Sequence, residues 1–199
     1  MVCGWAVGHD GSHILPERES SGMPELWSRG DERGGRRTVR TVVASVLLVN
    51  LVGAAPAILS GPGSPWFRSL TKPGLYPPPW LFGVVWTGLF TLMGLAVALI
   101  WLSDAAAADP DELTGWTARR VALAAFTGQM ALNVAWTPAF FAAENLLAGL
   151  VVIVALWPAV LATILAFDRV DRRAALALVP YLAWVTFAAV LNYQFWRLN

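Results

Sequence analysis

The chain has 199 residues, of which 57% are hydrophobic and only 14% charged, with a formal net charge of +1; soluble domains carry about 25% charged residues. That balance excludes an ordinary soluble domain, and no basic cluster has the size or setting for a nucleic-acid partner. The single cysteine, Cys3, precludes an intramolecular disulfide, and no His, Cys or carboxylate cluster has metal-ligand spacing.

Residues 1–37 hold six of the thirteen acidic residues, both histidines (His9 and His13) and many Gly, Ser and Pro. They lack the apolar run of a secretory signal, so they read as a disordered cytoplasmic tail, with Met23 as an alternative start. Residues 38–199 form the membrane domain. Five apolar spans follow one another, at about 38–60, 80–102, 118–141, 146–167 and 174–196. About 20 apolar residues cross a hydrocarbon core of about 30 Å, and in lipid the backbone must satisfy its own hydrogen bonds. The expected fold is therefore all-α, an integral membrane bundle of five transmembrane helices. Pro56 should bend or end the first span, Pro77-Pro78-Pro79 precede the second, and Pro138 lies in the last turn of the third. The connection 61–79 is the richest in Pro and Gly.

Basic residues set the orientation. Arg36, Arg37, Arg40, Arg119, Arg120, Arg169, Arg172 and Arg173 fall on one side, and only Arg68, Lys72 and Arg197 on the other. The N-terminus is expected in the cytoplasm and the C-terminus outside, with 61–79 external and the bacterial inner membrane as the location. Trp66, Trp80, Trp101, Trp116 and Trp196 stand near span ends, where indoles anchor to the interface.

Polar residues inside apolar spans are the informative ones. Gln129, Asn133, Trp136 and Phe140 share one helical face, as do Tyr181, Trp184, Ala188 and Asn192. Trp86, Phe90, Met93 and Val97 form a third stripe. Three such faces can line one flat-walled apolar cavity with a few orienting amides. The same stripes also serve helix packing, with the amides bonding a neighbouring helix. The spans contain no His, Cys, Asp or Glu, which argues against acid–base catalysis.

Trp66-Phe67-Arg68-Ser69-Leu70-Thr71-Lys72-Pro73, followed by Pro77-Pro78 and Trp80, is similar to the signature W-[YF]-x-x-L-x-K-P-x(3)-P-P of the TspO/MBR family of tryptophan-rich sensory and translocator proteins. Gly83-Val84-Val85-Trp86-Thr87 leading to Met93-Gly94, Gly128-Gln129 through Asn133 and Trp136 to Phe140-Phe141, and Pro180-Tyr181-Leu182-Ala183-Trp184 with Leu191-Asn192-Tyr193 continue the likeness over roughly 40–199. Phe67 departs from the more usual Tyr.

The resemblance implies a five-helix membrane receptor or sensor, often a homodimer, that binds tetrapyrroles such as protoporphyrin IX and haem as ligands rather than obligatory cofactors. It places Trp86 and Phe90 on the second-helix wall of the cavity, Asn133 and Trp136 on the third, and Trp184 and Ala188 on the fifth. Gln129 is an added candidate for a propionate or pyrrole. Phe67 and Pro77 belong to the external lid, where Arg68 and Lys72 suit propionates. No residue is assigned as conventionally catalytic; light- and oxygen-dependent porphyrin breakdown would involve Trp86 and Trp184. Export of porphyrin or another amphiphile is the alternative, with no repeat and no buried carboxylate to drive it. Residues 191–197 also fit a sterol pattern, in which Tyr193 and Arg197 read as structural or interfacial. Ala124, Gly128, Ala131, Ala135 and Ala139 permit close helix approach on the third span. They suit either a dimer surface, consistent with the family, or packing within one chain.

Overall fold

A computed structural model describes residues 24–103 and 117–199, with side chains from Gly34 onward apart from Leu59. The chain divides into two units, Met1–Arg36 and Arg37–Asn199. Cys3, His9, His13, Met23, Trp116 and residues 1–23 of the tail expected over 1–37 lie outside the described residues.

The described residues form six α-helices and no strand. They are α1 (Pro24–Leu59), α2 (Pro65–Ser69), α3 (Pro79–Leu102), α4 (Ala118–Thr137), α5 (Leu146–Asp168) and α6 (Arg172–Leu198). A π-helical turn, Pro138–Ala142, extends α4. The second, fourth and fifth expected spans end within two residues of α3, α5 and α6.

Three differences from expectation have local causes. The helix of the first span starts at Pro24 rather than near Thr38, so part of the expected tail is helical; proline is favoured at a first helical position, where its missing N–H costs nothing. Pro56 lies inside α1 and does not end it. Its carbonyl accepts the Ser60 amide at 3.0 Å one turn on. The third span changes pitch at Pro138, which has no N–H to continue the ladder. The Ala143 amide bonds Pro138 O at 2.9 Å, an i to i+5 closure. The corner then turns through Glu144 at φ 51°, and the Asn145 side chain caps α5 by accepting the Ala148 amide at 2.9 Å.

Among the described residues, four helical segments, Gly34–Ile58, Pro79–Leu102, Leu146–Asp168 and Arg172–Leu198, are long and apolar enough to cross a membrane. Helix α4 falls short, because Arg119, Arg120, Gln129 and Asn133 dilute its apolarity. The count of five spans is thus not reproduced by length and composition alone. Large apolar side chains such as Leu51, Ile58, Val151, Leu165 and Leu176 face outward, as a hydrocarbon surround permits.

The interior is close-packed around Met93, Ile100, Leu156, Val160, Leu178 and Val185. In lipid, helix association rests on such packing and on interhelical hydrogen bonds rather than on water exclusion. Gly94 permits a close backbone approach of α1 and α3: a Cβ there would stand 2.5 Å from Val46 Cα. Nearby, Asn50 Nδ2 donates to Thr91 Oγ1 at 3.3 Å.

Candidate functional site

A cavity of about 360 Å³ opens among α1, α3, α4, α5 and α6, beneath the connection between α1 and α3. Its volume lies near the lower end of small-molecule sites, roughly 300–1,000 Å³. Seven of the nine residues expected from sequence line it: Phe67, Trp86, Phe90, Asn133, Trp136, Trp184 and Ala188.

The walls are aromatic. Trp86 stacks on Phe90 at 5.2 Å, one helical turn deeper, and meets Trp184 edge-on at 6.5 Å and 87°. Trp136 stacks on Phe140 at 5.3 Å. The π turn carries Phe140 and Phe141 into the wall. Gly149 makes room for Phe140, since a Cβ at 149 would lie 2.6 Å from Phe140 Cδ2.

Phe67 forms the cover. Ser64 caps α2 by accepting the Phe67 amide at 3.1 Å, with Pro65 pre-set in the first turn. The Phe67 ring packs on Phe141 at 5.1 Å, Phe195 at 5.6 Å and Phe140 at 6.1 Å. Lys72 is committed to this cover rather than offered to a ligand. Its ammonium donates to Phe67 O and Leu70 O and lies 4.1 Å from the Phe67 ring centroid. Desolvation pulls that ammonium below its ordinary range, and burial pushes the Tyr76 phenol up. Arg68 is exposed on α2.

Polar groups below and within the wall are mostly tied to helices. Asn133 Nδ2 donates to Tyr181 Oη at 2.8 Å, and that hydroxyl donates to Gln129 Oε1 at 3.1 Å. Gln129 therefore sits under the floor and does not reach the cavity; it shares Asn133's face but lies one turn away in depth. Pro77 is half-buried beside the lining residue Tyr76 and does not line the cavity itself. Trp136 Nε1 donates to Asn192 Oδ1 at 3.1 Å, while Asn192 Nδ2 caps back to Ala188 O at 2.8 Å. Trp184 Nε1 is buried without a partner, an unmet donor that costs about 1–3 kcal/mol. None of the lining residues carries a formal charge.

Sequence reasoning missed Asn50, Tyr76, Phe82 and Phe195, which also line the cavity. Asn50 had a usable signal: it is the only amide side chain in the apolar span of α1. The small residues Ala124, Gly128, Ala131 and Ala135 of α4 are exposed, and Ala139 is half-buried. Trp80 and Trp101 stand exposed at the two ends of α3.

The TspO/MBR family model matches residues 45–197. The chain is 39% identical over 166 residues to the "Tryptophan-rich protein TspO" of Chlorobaculum tepidum, covering 82% of this chain and 98% of that protein. It is 41% identical over 140 residues to the human "Translocator protein", covering 70% and 78%. It is 37% identical over 134 residues to the "Tryptophan-rich sensory protein" of Cereibacter sphaeroides, covering 67% and 77%.

Proposed function

The chain belongs to the TspO/MBR family of integral membrane proteins with a general sensor or receptor role, and from that premise we propose that it binds tetrapyrroles, protoporphyrin IX and haem among them, in the cavity beneath Phe67. The observation that supports this most is the uncharged aromatic enclosure in which Trp86, Trp136 and Trp184 converge, with the Trp184 indole donor buried and unmet. Flat macrocycles stack on such faces, and Trp184 Nε1 and the Asn133 carboxamide orient their edge. A macrocycle fills a site of this size only with the cover displaced. The test is a titration of tryptophan fluorescence with protoporphyrin IX. Saturable quenching is expected, and it should be lost in Trp86→Ala with Trp184→Ala. Quenching unchanged in the double variant would refute the assignment.

The same reading extends to light- and oxygen-dependent porphyrin breakdown, because two oxidisable indoles stand 6.5 Å apart in the wall. Illumination of the complex in air should then yield a new absorbing product, absent without oxygen. The human relative's name supports a transport reading, for which porphyrin flux across proteoliposomes is the test.

The membrane arrangement is part of the proposal. Helix α4 is the remaining span, with Asn133 and the Gln129 carbonyl tied to α6 through Tyr181. The arginine bias puts the N-terminus in the cytoplasm and the chain in the inner membrane. The exposed small-residue face of α4 is the homodimer surface; disulfide trapping of Ala131→Cys in a Cys3→Ser background should link two copies.

A further inference from the structure

We propose that Asn199 is a latch on the cavity's cover, a positioning residue that sets from outside the wall how fast the cavity opens. Its carboxamide grips the backbone of one residue, Thr71, at both its N–H and its C=O. Oδ1 accepts the Thr71 amide at 2.7 Å, and Nδ2 donates to Thr71 O at 3.3 Å. The same Nδ2 donates to Phe195 O at 3.0 Å, closing the last turn of α6. One side chain thus caps α6 and fastens the loop to it.

Among the described residues, this pair is the only hydrogen-bonded tie between the 61–79 connection and a part of the bundle other than its two flanking helices. The remaining bonds of the connection are internal, such as Ser64 to Phe67, Ser69 to Trp66 and Tyr76 to Pro73, or lead directly into α3, as Leu81 to Pro78 does. The grip reaches the cavity in two steps. Thr71 precedes Lys72 in the chain, and the Lys72 ammonium holds Phe67 O and lies over the Phe67 ring. Phe67 is buried and lines the cavity, held on its other side by apolar packing that includes ring contacts with Phe140, Phe141, Phe195 and Tyr76. Ring contacts are non-directional and allow sliding; the bidentate amide pair fixes position. Asn199 and Thr71 are both exposed, so water competes for these bonds and keeps the latch weak enough to open.

The consequence for ligand release rests on the proposed tetrapyrrole site, but the latch itself does not. The test compares the full-length protein with Asn199→Ala and Thr71→Ala in lipid nanodiscs. Only the Thr71 backbone is gripped, so Thr71→Ala should behave as wild type. Asn199→Ala should raise hydrogen–deuterium exchange across 66–73 by about three- to tenfold, as expected for the loss of one to two solvent-exposed hydrogen bonds. Release of pre-bound protoporphyrin IX, followed by recovery of tryptophan fluorescence, should quicken by a similar factor. Exchange that rises only at 195–199 would overturn the latch and leave Asn199 a helix cap. If protoporphyrin IX fails to bind the wild-type protein, the ligand assignment falls, while the exchange comparison still decides the latch.

Discussion

Tyr181→Phe removes one oxygen and breaks two buried hydrogen bonds, the 2.8 Å bond from Asn133 Nδ2 and the 3.1 Å bond to Gln129 Oε1. Gln129 is fully buried and its Nε2 already lacks a partner, so the variant strands the whole carboxamide. Interhelical hydrogen bonds in membrane proteins average about 0.6 kcal/mol, so two of them account for about 1.2 kcal/mol. A stranded buried amide adds the cost of an unsatisfied polar group, and the total is expected at about 1–3 kcal/mol. At about 2–4 °C per kcal/mol for a chain of this size, the melting temperature in detergent should fall by several degrees. The second variant separates the two contributions. Gln129→Leu with Tyr181→Phe removes the stranded amide and should be more stable than Tyr181→Phe alone. Equal stability of Tyr181→Phe and wild type would refute the clamp between α4 and α6. A double variant no more stable than Tyr181→Phe would refute the stranded-amide account.

Further expectations concern the close approaches. Gly94→Ala places a Cβ 2.5 Å from the Val46 backbone, which cannot yield without moving α1; a loss of about 1–3 kcal/mol is expected in thermal unfolding. Gly88→Ala meets nothing within 4 Å and should leave stability unchanged or slightly raised. Gly149→Ala forces the Phe140 ring out of its place in the cavity wall, so protoporphyrin IX affinity should fall in a fluorescence titration while Trp86 and Trp184 remain intact. Trp136→Phe keeps a ring in the wall but loses the bond to Asn192 Oδ1, and should cost about 1 kcal/mol of stability with quenching retained.

Apolar length and proline punctuation made α3, α5 and α6 legible from sequence, because in lipid a span must be helical and few residues can end it. Helix α2 was missed, although Ser64-Pro65 carries the signature of a capped start. The π turn was missed for a different reason. Pro138 announces a broken ladder, but not whether the chain stops or widens into the i to i+5 closure from Ala143 to Pro138 O. Helical periodicity correctly put Gln129 and Asn133 on one face, yet periodicity fixes direction and not depth. One turn separates a residue of the wall from one under the floor, and Tyr181 joins them across that boundary. The charged residues of the external loop read as ligand contacts from sequence because their own partners, the Phe67 and Leu70 carbonyls in the case of Lys72, are invisible until the loop is folded.

The most direct measurement of the central claim is the position of bound protoporphyrin IX relative to individual indoles, read from indole N–H resonances of the nitrogen-15-labelled protein. The account predicts that Trp86, Trp136 and Trp184 shift on titration, with Trp184 Nε1 gaining a hydrogen-bond partner, while the exposed Trp80, Trp101 and Trp196 stay in place. Shifts confined to those three exposed indoles would put the macrocycle on the outer surface and contradict it.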